Sequence, residues 1–194
     1  MREREELAGL KRTLRRQAIA RRNAIDDRAV RSAAICARLA ALPLFRAAPS
    51  IHCYLPIRSE VDTRPLIAAA LAAGKAVAMP VVSEDGTLLH SWIDRLDETA
   101  FAASVLGTVR PHHLRPALPG SWALTVVPLL AFDRRCYRLG YGKGHYDRLL
   151  AQVSGAMIGV AFAAQEEPRL PHEPHDIALD LIVTEHELIS PGQA

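Results

Sequence analysis

The sequence contains no apolar run long enough to cross a bilayer; residues 67–73 form one of its longest. Its first ten residues, MREREELAGL, are charged where a secretory leader would be apolar, so a cytoplasmic protein without membrane partners is expected. Cysteine is scarce and scattered, at Cys36, Cys53 and Cys136, with no Cys-x-x-Cys pair. That excludes a disulfide framework or a structural zinc site as the organising device and suits a reducing compartment. Also missing are a Gly-x-Ser-x-Gly elbow and any recognisable partner for a cysteine nucleophile, so covalent catalysis is not indicated.

What is present is an ordinary globular composition, 49% hydrophobic and 23% charged over 194 residues, enough for one domain spanning 1–194 with a sizeable core. The net charge of +3 is unevenly spread. Residues 1–31 hold ten basic and five acidic side chains, leaving fourteen basic against sixteen acidic elsewhere. A generally basic surface would favour nucleic acid, whereas a local cluster suits a small polyanion equally well.

Leu7, Leu10, Leu14 and Ala18 recur at intervals of three and four, which predicts a helix over 5–22. Lys11 and Arg15, one turn apart, then share a side of it. A second helix is expected to run to about Leu42, after breakers and a candidate cap at residues 23–27, with Pro43 and Pro49 bracketing a loop. SIHCYL (50–55) reads as a strand, and TRPLIAAALAAG as a helix capped by Thr63 and ended by Gly74. KAVAMPVV, LLHSWI, the nearly all-apolar ALTVVPLLAF, AMIGVAF and LDLIVT are further strands. HYDRLLAQV reads as a helix start, and the Pro/His-rich segments 111–119 and 168–175 as exposed loops. The alternation predicts an α/β fold with a mostly parallel central sheet and helices on both faces.

Three stretches can carry chemistry. RLGYGKGHYDRLL (138–150) follows a strand, leads into a helix and packs Gly140, Gly142 and Gly144 into five positions. It is not a P-loop, because Gly144 follows Lys143 where Ser or Thr is required, nor does it have the dinucleotide spacing. Glycines there let backbone N–H groups approach an anion, with Arg138 and Lys143 adding charge. From spacing alone, a tight turn with a solvated lysine would read the same way. Asp147 suits a magnesium ion bridging phosphates, or is simply an acid placed well at a helix N-terminus. In YLPIRSEVDT (54–63), Glu60 stands just past a strand end, either facing the N–H groups of a ligand or solvated in a loop. PHEPHDIALD (171–180) offers His172, His175, Asp176 and Asp180, but its prolines spoil the helical geometry of a paired-histidine zinc site. Asp176 is the better second carboxylate for magnesium.

Together these stretches resemble the 5-formyltetrahydrofolate cyclo-ligase family over nearly the whole chain. The resemblance rests on Lys11-Arg12-Thr13-Leu14-Arg15, on Tyr54-Leu55-Pro56 through Glu60-Val61-Asp62-Thr63, and on VPLLAFD leading into Arg138-Leu139-Gly140-Tyr141-Gly142-Lys143-Gly144-His145-Tyr146-Asp147. It implies an ATP-dependent ligase in which the formyl oxygen of 5-formyltetrahydrofolate is phosphorylated. N10 then closes the ring, giving 5,10-methenyltetrahydrofolate, ADP and phosphate. By the same resemblance, Lys11, Arg15, Arg138, Lys143, Tyr146 and Gly140, Gly142 and Gly144 meet ATP, with Arg138 and Lys143 catalytic. Leu55, Glu60 and Tyr146 meet the folate, and Asp147 with Asp176 holds Mg2+. No nucleic-acid, membrane or protein partner is implied.

Two positions depart from the family pattern. Arg110 stands where a carboxylate is usual, and His145 where a tyrosine is common. Two other readings are compatible with the residues: an ATP-dependent ligase or transferase acting on a non-folate substrate, and a nucleic-acid-binding module using the basic helix.

Overall fold

The leucine and alanine spacing of the first residues is realised as a helix, α1 (Arg2–Asn23), in the computed structural model, which describes residues 2–174 and 176–192. Leu10 is nevertheless half exposed. The inward face runs instead through Lys11, Leu14, Arg15 and Ala18 to Arg22, at helical intervals of three and four. Helix α2 (Arg28–Ala41) follows. Residues 43–47, expected as loop, form a short helix α3 (Pro43–Ala47): a proline at a first helical position lacks only an N–H that would be unbonded there anyway.

Strand β1 (Ser50–His52), helix α4 (Arg64–Ala72) and strand β2 (Ala76–Val82) make a parallel crossover unit, and β3 (Leu88–Ile93) turns back antiparallel along β2. Gly74 ends α4 in the left-handed region at φ 72°. The Thr63 hydroxyl is not a cap; it donates to the Tyr54 carbonyl and pins the segment after β1. A small hairpin, β4 (Phe101–Ala103) with β5 (Val109–Pro111), precedes β6 (Leu124–Val127). The apolar run around β6 is not one strand. Pro128 has no N–H for the ladder, so pairing stops at Val127, and β7 (Ala131–Phe132) pairs instead with β8 (Arg138–Leu139). A six-residue helix α5 (His145–Leu150), then β9 (Ala156–Val160), β10 (Leu181–Val183) and β11 (Leu188–Ile189) complete the chain.

The central sheet has seven strands in the order β11-β10-β9-β6-β1-β2-β3, parallel except at its two edges. Alternation along the strands sorts the core into two faces. Val77 and Met79 of β2 and Val126 of β6 pack with Ile35, Leu39, Leu66 and Ile67 from α2 and α4. Ala78 and Val127 point the other way, into clusters containing Leu149 and Leu150 of α5. From β1 the chain moves to β2 on one side, then returns to β6 on the other. The crevice beyond the carboxyl ends of β1 and β6 is therefore a switch point, where open α/β sheets bind ligands. Segments 111–119 and 168–175 are loops only in part: Pro111 belongs to β5, and Ala117 and Leu170 are buried.

Candidate active site

Several parts of the chain converge on that crevice and line a cavity of about 370 Å³. From α1 come Lys11 and Arg15; from the segment after β1, Tyr54, Leu55, Ile57, Arg58 and Glu60. The run from Arg138 to Asp147 supplies the floor, and Asp176 closes one side. Every residue that the family resemblance assigned to ATP, folate or Mg2+ thus lines the same cavity. The chain has only three lysines, and two of them, Lys11 and Lys143, are here.

Local geometry explains how the glycine loop is held. Gly142 and Gly144 adopt left-handed backbone, φ 91° and 67°, which a side chain would resist, whereas Gly140 does not. Gly140 contributes its carbonyl, which accepts from Arg15 Nε at 2.9 Å. Arg15 thereby ties α1 to a loop 125 residues away. Arg138 is almost wholly buried; it donates to the Ile177 carbonyl at 2.9 Å and pairs with the Asp147 carboxylate. Lys143 is exposed and forms no ion pair among the described residues. Because α5 has only six residues, the loop's N–H groups and cations, rather than a long helix dipole, give the floor its positive character.

Lys11 reaches across to Glu173 Oε2 at 2.9 Å and Asp176 Oδ2 at 2.8 Å. Burial would lower the pKa of its ammonium group, but these two carboxylates outweigh that and hold it up. Asp180 is elsewhere: its Oδ2 accepts from the Met157 N–H at 2.8 Å at the sheet's end, and it does not line the cavity. His172 stacks on Tyr137 with ring centroids 4.1 Å apart, while His175 lies outside the described residues. Among the described residues no three His, Cys, Asp or Glu side chains form a metal cluster.

Glu60 is not a solvated loop residue. It is 8% exposed, and its Oε2 accepts from the Ile57 N–H at 3.0 Å across a turn whose Arg58 has φ 54°. Burial raises its carboxyl pKa, opposed by that N–H and by the charges of Arg22 and Arg58. The Tyr146 hydroxyl, also on the cavity, is buried and has no hydrogen-bond partner among the described residues; burial pushes its pKa well up, with Glu60 adding to the effect. An unpartnered buried hydroxyl beside a buried carboxylate is a pair of polar groups awaiting a ligand with complementary N–H and acceptor atoms. Arg110, whose identity departs from the family pattern, is exposed and absent from the cavity wall, while its neighbours Thr108 and Val109 line it. His145 bonds the Gly86 carbonyl through Nε2 at 3.0 Å. It stands between this cavity and a second one of about 560 Å³ against β3.

All three cysteines are buried and free; burial raises Cys36 and Cys136 to about 11 and Cys53 higher still, so none is a ready thiolate. No helix among the described residues is long and apolar enough to cross a membrane. Arg58 and Tyr141 line the cavity, and Arg22 and Glu173 bond to residues that do, without having been marked in the sequence as part of the site. The signal for Arg22 was available: continuing the α1 face four residues past Ala18 lands on it.

Residues 8–185 match the model of the 5-formyltetrahydrofolate cyclo-ligase family. A 5-formyltetrahydrofolate cyclo-ligase of Escherichia coli K12 is 32% identical over 157 residues, covering 76% of this chain and 84% of its own. One from Mycolicibacterium smegmatis is 31% identical over 141 residues, covering 70% and 73%. Among solved structures, the NMR structure of Aquifex aeolicus 5,10-methenyltetrahydrofolate synthetase is similar at a TM-score of 0.82 and 31% identity, over 95% of this chain and 94% of that one. A 5,10-methenyltetrahydrofolate synthetase from Mycoplasma pneumoniae is similar at 0.73 and 25% identity, over 90% and 98%.

Proposed function

This chain belongs to the 5-formyltetrahydrofolate cyclo-ligase family, and we propose that its cavity closes the ring of 5-formyltetrahydrofolate at the expense of ATP, as a single domain to which α1 contributes part of the nucleotide site. The observation that carries this reading is the meeting, in one cavity, of a cationic glycine-rich floor and a desolvated carboxylate.

ATP lies with its phosphates over Gly140, Gly142 and Gly144, neutralised by Lys11 and Arg15 from above and by Arg138 and Lys143 from the loop. The folate packs its apolar face on Leu55, and its N–H edge donates to Glu60. Tyr146, between the two, directs its hydroxyl at the ligand. In this pose the formyl oxygen attacks the γ-phosphorus and ADP departs. N10 then adds to the activated carbon and gives up its proton, and the transferred oxygen leaves as phosphate. Positioning and charge stabilisation supply the catalysis, with Arg138 and Lys143 facing the developing charge, and no protein nucleophile is required.

Asp147 and Asp176 are the residues that would hold Mg2+. Both line the cavity, and each is already held by a cation, Arg138 on Asp147 and Lys11 on Asp176. Two carboxylates and a nucleotide are the donor set this ion commonly takes, and when bound it would neutralise phosphate charge.

The test is an assay with 5-formyltetrahydrofolate, ATP and Mg2+, each omitted in turn, following the methenyl product's absorbance and ADP together. Equal release of both products, abolished by any omission, is expected. ADP release without the absorbance change, with another acceptor required, would replace the folate reading by that of a different ATP-dependent ligase.

A further inference from the structure

Arg22 is among the largest fully buried side chains of the protein, 1% exposed, and among the described residues it forms no ion pair. Burying a guanidinium this way is expensive unless its N–H groups are bonded. Three of them are, and each bond goes to a different segment of the site. Nε donates to Ser59 Oγ at 3.1 Å, in the turn that carries Glu60. Nη1 donates to the Leu129 carbonyl at 3.3 Å, beside Pro128 on the cavity wall. Nη2 donates to the Tyr141 hydroxyl at 2.5 Å, inside the glycine loop, whose ring also lies 5.7 Å from the guanidinium carbon. Ser59 passes the connection back to α1 by donating to Asn23 Oδ1 at 2.5 Å.

We propose that Arg22 is the positioning residue of the site, a buried fork that sets the spacing between the Glu60 turn and the glycine loop and ties both to α1. It does not line the cavity, so it acts through its neighbours. A planar guanidinium is suited to this because its donors point in fixed directions, which a lysine cannot reproduce. Its charge has a second effect. The groups facing Glu60 are Arg22 from α1, Arg58 from its own turn, Tyr54 beyond β1 and Tyr146 from α5. Arg22 and Arg58 are the cations among them, so removing Arg22 leaves one to favour the carboxylate over the protonated acid. This rests on the reading that Glu60 meets the folate.

The experiment compares Arg22→Met and Arg22→Lys in the full chain, with thermal melting to establish folding. Two readouts are taken: the carboxyl 13C titration of Glu60 without ligands, and the KM for each substrate against pH. In folded Arg22→Met, the Glu60 midpoint moves up, the acid limb of the folate KM moves up with it, and both KM values rise by about tenfold, the scale of one lost hydrogen bond to a charged group. Arg22→Lys keeps the midpoint, because the charge remains, but still raises both KM values because the fork is gone. An unmoved midpoint in Arg22→Met, or parental KM values in Arg22→Lys, overturns the proposal. Should Arg22→Met fail to fold, Arg22→Lys and Tyr141→Phe decide it alone: both must raise the ATP KM. The 13C titration needs no turnover, so it stands apart from Glu60→Gln, whose unchanged folate KM would sink the folate reading itself.

Discussion

A methyl group placed on Gly142 would stand 3.0 Å from the guanidinium carbon of Arg15 and 3.1 Å from its Nη2. The glycine is there because the first helix leans on it. The left-handed backbone at this position adds a second reason, since φ 91° is strained for any side chain.

Gly142→Ala therefore displaces Arg15 as well as straining the loop. The ATP KM is expected to rise by about tenfold or more, with the folate KM nearly unchanged. Initial rates across an ATP series at saturating folate check this; equal effects on both substrates would mean that the whole loop had collapsed.

Glu60→Gln should trade function for stability. Burial raises the Glu60 carboxyl above its ordinary 4.5, so the folded protein binds that proton more tightly than the unfolded chain does. Its contribution is complete below 4.5 and is lost as pH rises through the folded value. At pH 7 the glutamine variant should melt on the order of a few degrees higher than the parent, an advantage that shrinks towards pH 4. The folate KM should rise more than the ATP KM. Melting curves at the two pH values and a pair of substrate titrations suffice.

Lysines 75 and 143 should separate stability from turnover. Lys75 Nζ donates to the Arg46 and Ala48 carbonyls, at 2.8 and 2.6 Å, at the end of α3, and lies 5.5 Å from the Phe45 ring. Lys75→Ala should cost about 1–2 kcal/mol of stability while kcat holds. Lys143→Ala should leave melting nearly unchanged, whereas Asp147→Ala strips the buried Arg138 of its carboxylate and should lower it. Each should lower kcat by about a hundredfold or more, the scale of one lost charge-stabilising group. Near-normal turnover in both would remove the loop from the chemistry.

Acid should loosen the fold through a histidine pair. His52 Nε2 and His90 Nδ1 are 3.0 Å apart, with Trp122 stacked on His52. Burial lowers both, His52 well below 6.5 and His90 to about 4. The unfolded chain takes up these protons first, so stability present above 6.5 declines as pH falls towards 4. Each histidine's proton sets a ceiling of about 1.4 kcal/mol per pH unit, so about 2.8 for the pair. Urea denaturation at pH 7, 5.5 and 4.5 should show this slope in the parent and a flatter one in His52→Leu/His90→Leu.

The strands, the glycine loop and the α1 cations are legible in the sequence because each is a local pattern: apolar runs, clustered glycines, a helical period. The break at Pro128 was legible in principle, but eight apolar neighbours masked it. The α3 helix was hidden because a proline marks a helix start as readily as a loop. Glu60 shows a different limit. Its burial depends on α1 folding over its turn, and no spacing within 54–63 reports that. Arg22 was obscured for the opposite reason, since a cation on an apolar stripe reads as an interruption of the core rather than as part of it.

The bond from Lys11 to Asp176 joins positions 165 apart, nearly the two ends of the chain. A site fastened in this way cannot exist until almost the whole polypeptide has found its place, so binding competence should be among the last properties to appear during refolding. The converse also holds. A nucleotide seated between α1 and the C-terminal third acts as a noncovalent cross-link over most of the chain, and at a hundred times its dissociation constant adds about 2.7 kcal/mol against unfolding. Protection of both ends from proteolysis, rising in step with ATP concentration, would be its signature.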